Sequence, residues 1–425
     1  MKIGVARGDI TPADAVWLAG YAHRDHRSEG VYHPLRAGAI YIEGHADAGL
    51  IISADVIGFD LPTAAALKLQ IAAATGLLPR QIVLTATHTH GAPLFWPMAM
   101  PGETEIGYAE FLRHRLVETA ISARITATAG SIRSSRAFSE FGVNRRLPDG
   151  KGGVEFAPNP DGAIDRDLDT LWFADSDGTI LASLTIYGCH ATSLGDYMVG
   201  PDYPGYLCTV LERSTDAPAF FAAGCGGDVR PWYTRDSAKE FGRPSLDALE
   251  AAGEQIASDV LASCEQANEV DSDGLQLACD FHQLPYANLP TREELISEAE
   301  GGSDPNFRKW ARAMVAMSDC GALPSSCPQE IQILRFNSAF LILFLGGEIL
   351  SEIGLHLKQQ LQPAHAVTAG YSNGLIGYVP SENAYALGGY EVDGSYRYFL
   401  RPAPFTKDVE RLIVDKTMAM VSAFS

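Results

Sequence analysis

Residues 81–93 read QIVLTATHTHGAP, an apolar, β-branched run that gives way to two histidines one residue apart and then to Gly and Pro. The run has the character of a buried strand, and Gly91 and Pro93 mark where the chain leaves it. In an extended chain, His88 and His90 share one face, because side chains repeat every second residue. Three further places follow the same grammar. LTIYGC (184–189) runs into His190, ILFLGG (342–347) into Glu348, and LIG (375–377) into Tyr378. Four strand ends thus carry side chains able to hold a metal.

The chain between them alternates strand-like and helical patterns. Residues 38–43 and 49–57 read as strands, 61–76 as an amphipathic helix, and 108–127 as a long helix. WFADSDGTILASLTIYGCH is a hairpin turning at Asp177-Gly178 and ending at His190. Helical patterns recur at 205–214, 245–267, 291–300, 306–319, 348–361 and 406–424, and strand patterns at 218–224 and 274–286. A second hairpin, EIQILRFNSAFLILFLGGE, turns near Asn337-Ser338. Segments 144–166 and 371–405 are rich in Gly, Pro, Asp or Tyr and read as long loops, which in ordered proteins usually serve function. The sum is a mixed α/β (α+β) fold of layered sheets flanked by helices, expected to form a single domain over residues 1–425.

Charge narrows the partners. With 52 acidic against 32 basic residues the net charge is −20, which repels phosphate backbones and anionic lipid surfaces, so neither nucleic acid nor membrane is expected. No apolar run reaches the roughly 18–20 residues of a membrane span, and MKIGVARGDITP does not read as a secretion signal. Seven cysteines, an odd number without a C-x-x-C pair, argue against a disulfide framework and for a reducing cytoplasm. The expected partner is a small molecule; a homo-oligomer is compatible with the sequence.

Zinc takes three or four N, O or S ligands, and two His with a carboxylate is a common catalytic set that leaves one position open. Each residue also has an ordinary reading. A histidine at a strand end packs or caps, Glu348 suits the first turn of a helix, and Tyr378 suits a core or its rim.

The motifs add a resemblance. ATHTHGAP (86–93) resembles the ATHTHSGP signature of the neutral, non-lysosomal ceramidases, a zinc amidase family. RGDITP, LAGYAHR, FGVNRR, YGCHATSLGDYMVGPDYPGY, AAGCGGDVRP, LGGE and GYVPSENAYALGGYE follow in the family's order, from residue 6 to about 395. The resemblance implies a ceramidase-like catalytic domain with its metal site at strand ends and one zinc ion held by His88, His190, Glu348 and Tyr378. It implies that His90 points beside the metal, towards substrate or the attacking oxygen. Arg145 matches an active-site arginine and Tyr390 a tyrosine that lines the cleft. Asp202 is a further candidate, with helix capping as its alternative.

Two departures stand out. Where the family carries SNLGD, whose serine lies in the catalytic centre, this chain has Gly224 and Cys225; a thiolate ligand or nucleophile at Cys225 is the chemical alternative to a small buried residue. The resemblance also covers the family's catalytic region without its C-terminal β-sandwich. Both point away from ceramide. The expectation is therefore a metal-dependent hydrolase, an amidase first, that cleaves an amide (or ester) bond of a small soluble substrate with zinc-activated water. His90 would move protons, Tyr378 or Tyr390 would stabilise an oxyanion, and Arg145 would bind a substrate oxygen. The alternatives are a metal-dependent lactonase, lyase or isomerase acting on a sugar-like substrate, and a non-enzymatic metal-bearing binding protein.

Overall fold

Every interior residue of the strand Arg36–Glu43 is buried, so both of its faces must be covered. Ala39 and Tyr41 join one hydrophobic cluster and Ile40 and Ile42 another, as the two-residue period of a strand demands. The computed structural model, which describes residues 1–237, 240–271 and 274–424, shows what lies on each side. One sheet runs in the order Ala219–Ala223, Ile180–Tyr187, Asp167–Asp175, Thr128–Phe138, Lys2–Asp9, Arg36–Glu43, Ala48–Ala54, Ile82–Ala86. The pairs at its two ends are parallel. A second sheet has the order Gln276–Pro285, Ser326–Arg335, Phe340–Leu345, His365–Ala369, its last pair parallel.

The inner faces meet through Ile40, Ile51 and Leu184 of the first sheet and Ile342, Phe344 and Val367 of the second. Each such side chain contributes about 1.5–3 kcal/mol by leaving water. Helices Leu61–Thr75, Ile106–Ile125, Tyr203–Thr215 and Leu246–Cys264 pack with the outer residues of the first sheet. Ser351–Gln360 and Val409–Ser422 cover the second. The layered, helix-flanked α/β architecture is the one expected. Among the described residues no helix is long and apolar enough to cross a membrane.

The first sheet coils until its ends approach, and Ser53 Oγ donates to the Phe221 carbonyl at 2.5 Å. Strands ending at Ala86, Tyr187, Ala223, Leu345 and Ala369 then deliver their following loops to one region, which is where the candidate residues gather.

Four local readings change. Residues 142–159 form a hairpin, Gly142–Pro148 with Val154–Asn159, joined on its other edge by Val229–Pro231. Gly150, Gly152 and Gly153 of the stretch read as a loop lie in its turn, where Asp149 Oδ1 accepts the N–H groups of Lys151 and Gly153 at 2.7 and 2.9 Å. The strands Lys2–Asp9 and Thr128–Phe138 lacked a clear sequence signal because their solvent-side residues interrupt the apolar pattern. The strand before His190 stops at Tyr187. Glu348 belongs to a short strand, Glu348–Ile349, and the helix begins only at Ser351.

Candidate metal centre

Glu348 and Tyr378 are register partners in a two-stranded parallel pair, so residues thirty positions apart are held side by side by backbone hydrogen bonds. His190 faces both: its Nε2 lies 3.0 Å from Glu348 Oε2 and 3.2 Å from the Tyr378 hydroxyl. His88 Nε2 lies 3.3 Å from the same Glu348 oxygen, and His90 Nε2 is 3.4 Å from His88 Nε2. The structure thus gathers all four expected ligands, and His90 with them. His88, His90 and His190 by themselves form a group whose ring nitrogens are spaced to share one ion.

The chemistry of these donors fits a cation. His88 Nδ1 sits 2.6 Å from the Ile57 carbonyl and His190 Nδ1 2.9 Å from the Gly226 carbonyl. A carbonyl only accepts, so both Nδ1 atoms carry the proton, the arrangement that orients metal-binding histidines generally. Both rings then present Nε2 to the Glu348 carboxylate, so nitrogen and oxygen donors converge on one point, the kind of set a divalent cation takes. Extra protons are disfavoured: burial first, then the Arg145 guanidinium, pushes His190 down to about 4. Burial, reinforced by His88 and His190, also drives His90 well below the usual histidine range.

Backbone strain accompanies this geometry. His88 has φ 58°, and Tyr371 and Asn373, which pack behind it, have φ 52° and 58°. Such left-handed conformations are costly for non-glycine residues and cluster at functional sites. Asn373 justifies its own: its N–H donates to the Leu84 carbonyl at 2.7 Å and its Oδ1 accepts from Leu84 N at 3.0 Å, clamping the strand that leads to His88. Tyr371 stacks at 4.2 Å on the His88 ring and brings its hydroxyl to 3.4 Å from His190 Nδ1. The Gly- and Tyr-rich segment 371–405 was the only sequence signal for either residue.

His90 differs from the other two histidines. Among the described residues its Nδ1 is buried without a hydrogen-bond partner because it faces Gly20, where a Cβ would fall 2.3 Å from that nitrogen. Arg24 fastens the loops together, donating Nη1 to the carbonyls of Ala19 at 2.6 Å and His90 at 2.7 Å. Through Gly20 and Arg24 the LAGYAHR segment shapes the surroundings of His90 from seventy residues away.

Arg145 and Tyr390 complete the surroundings. Arg145 Nη2 donates to the Tyr378 hydroxyl at 2.9 Å while Nε pairs with Glu391 at 2.9 Å. Burial raises the Tyr378 phenol well above its usual range despite the opposing Arg145 charge, so it remains a donor. Tyr390 packs edge-on to Tyr378 with centroids 5.4 Å apart and is 40% exposed.

The GCGGD segment is a packing device. A Cβ at Gly224 would lie 2.7 Å from Gly188 N, and one at Gly227 2.7 Å from the Glu348 carbonyl, so no side chain fits at 224 without a backbone shift. Cys225 packs with Ile353 and Leu357, and burial pushes its thiol up to about 12, which makes it a core residue with no thiolate. Asp228, unassigned from sequence, links three motifs. It accepts from Ser351 N and Oγ at 2.9 and 2.7 Å and from Asn144 Nδ2 at 2.8 Å, and its own carbonyl takes Arg145 N–H. Asp202 is a cap: it accepts from Tyr203 N and from Ser193 N at 2.8 Å.

No family model matches the chain. Over 99% of its length it is 24% identical to the neutral ceramidase of Pseudomonas aeruginosa, and the match covers 72% of that protein. The neutral ceramidase of Drosophila melanogaster is 26% identical across 54% of this chain, and neutral ceramidase A of Dictyostelium discoideum is 23% identical across 57%. Those two matches span 36% and 37% of the relatives. The crystal structure of the Pseudomonas aeruginosa neutral ceramidase superposes with a TM-score of 0.76 at 21% identity, over 98% of this chain and 74% of that one. In sequence along nearly its whole length and in fold, the chain is similar to the neutral ceramidases.

Proposed function

We propose that the chain is a metal-dependent hydrolase that cleaves an amide (or ester) bond of a small soluble substrate, with one zinc ion held by His88, His190, Glu348 and Tyr378. The observation that carries this reading is the convergence of the Nε2 atoms of His88 and His190 on one Glu348 oxygen. A bound zinc ion supplies Lewis acidity, which brings the pKa of water from 15.7 towards about 7 and polarises a carbonyl.

The chain's own side chains do the rest. His90 is neutral, with one nitrogen facing the site and the other without a partner, so it is free to take a proton from the attacking water and return it to the leaving group. Tyr378 donates to the developing oxyanion, and Arg145 holds its hydroxyl in place. Tyr390 closes the mouth of the cleft.

His90→Ala is expected to leave metal content unchanged and to lower kcat by about 10²–10⁴-fold, the usual worth of a positioned acid–base. Loss of metal in this variant, measured by elemental analysis, would instead make His90 a third histidine ligand. Gly20→Ala probes the same residue from outside: its Cβ would displace the ring, and misplacement by about 1 Å costs about 10²-fold. Turnover should fall by that order at normal metal content. The reaction class is tested by offering amides, esters and lactones to zinc-loaded protein and weighing the products. Hydrolysis makes the summed product mass exceed the substrate's by one water and stops with chelator; a summed mass equal to the substrate's would contradict it.

A further inference from the structure

Arg230 is a cation at the site without an anion. It follows Val229, whose carbonyl takes the His190 N–H at 3.0 Å, and it lies in the strand Val229–Pro231 beside Arg145's strand. Its Nη2 donates to the Thr192 carbonyl at 2.7 Å, the oxygen that also receives the Tyr21 hydroxyl at 3.1 Å. Tyr21 in turn packs edge-on to His90 with centroids 4.8 Å apart, so one ring separates the guanidinium from His90. Its Nε–H is buried and has no acceptor among the described residues.

Among the described residues Arg230 makes no salt bridge, whereas Arg145 and Arg146 share Glu391 and Arg136 and Lys358 meet aspartates. Asp202 is close enough to act on it electrostatically, but its oxygens are taken by Ser193, Leu194 and Tyr203. A chain with twenty more acidic than basic residues has therefore left this guanidinium unpaired beside its candidate reaction centre. What it offers instead is an aromatic frame: Phe241 and Phe156 lie 4.7 and 5.7 Å from the guanidinium carbon, and Phe156 is 54% exposed. Rings stabilise a cation, yet they leave its Nε–H unsatisfied. A planar fork of donors is matched by a carboxylate or phosphate group.

We propose that Arg230 anchors an oxyanion group on the substrate, so that the chain acts on N-acyl compounds with an anionic head in preference to uncharged ones. The inference rests on the hydrolase reading for its substrate, though the anion site itself does not.

Three matched probes separate the possibilities: N-hexanoylglycine, N-hexanoylphosphoethanolamine and the neutral N-hexanoylethanolamine, given to the zinc-loaded protein. At least one charged compound should exceed the neutral one in kcat/KM by about 10–100-fold, the worth of a charge-assisted hydrogen bond, and which one leads identifies carboxylate or phosphate. Arg230→Gln should lower kcat/KM for that compound at least tenfold more than for the neutral one, with Arg230→Lys intermediate. A neutral compound cleaved as well as the charged ones, or an equal loss on all three, would overturn the proposal. Calorimetric binding of 4-phenylbutyrate against 4-phenylbutanol gives a readout without turnover. Preference for the acid that disappears in Arg230→Gln supports the anion site even if no amide is cleaved, in which case the hydrolase reading alone fails; preference that survives the substitution overturns it.

Discussion

His88→Ala and His190→Ala are each expected to reduce bound metal from about one ion per chain to near zero after dialysis, with turnover falling by at least about 10³-fold. Substituting a residue that merely orients a metal-binding histidine commonly costs about 10–100-fold in affinity, and removal of a direct ligand exceeds that. The structure gives a reason to expect equal effects. Both rings are tethered by an Nδ1–H bond to a carbonyl, and both present Nε2 to Glu348 Oε2, at 3.3 and 3.0 Å. Elemental analysis of the variants checks this, with thermal unfolding to confirm that they are folded. Retention of a full equivalent of metal by either variant would remove that residue from the ligand set.

Glu391→Ala is expected to be the most destabilising single substitution near the site. The Glu391 carboxylate is buried and bonded by Arg145 Nε at 2.9 Å on one oxygen and by Arg146 Nη1 on the other. Burial alone would raise its pKa, but the two guanidinium groups hold it below the usual range. Its removal leaves two buried cations without an anionic partner, and breaking a buried pair costs about 3–5 kcal/mol. Chemical denaturation should show a loss of that size, together with a drop in kcat as Arg145 releases Tyr378. The sign with pH follows: a depressed folded pKa means the wild-type contribution is complete above the ordinary glutamate range and is lost as pH falls through the folded value. A change below about 1 kcal/mol, the range of exposed pairs, would contradict this account.

Much of the site was legible because its candidate ligands follow apolar strands, and buried strands announce themselves. LTATHTH, LTIYGCH and FLGGE could each be read locally. What the sequence did not disclose is how the pieces meet, since the register between Glu348 and Tyr378 and the approach of Gly20 to His90 depend on backbone placement across large separations. Asp228, Tyr371 and Asn373 were invisible for the same reason: each acts through partners more than seventy positions away. Glu391 was hidden among the turns of a segment with little periodicity. The hairpin over 142–159 was missed because glycines needed only in its turn dominated the composition of the stretch. Conversely, Cys225 carried an open chemical question that burial closes, and the absent serine at 224 proves to be a position with no room for a side chain.

The central claim is that His88, His190, Glu348 and Tyr378 hold one divalent cation. Anomalous diffraction across the zinc edge, from crystals of protein grown with zinc and freed of excess, tests it most directly. One strong anomalous peak is expected, bonded to Nε2 of His88 and His190, to the Glu348 carboxylate and to the Tyr378 hydroxyl. A peak elsewhere, or none in this cluster at full zinc loading, would contradict it.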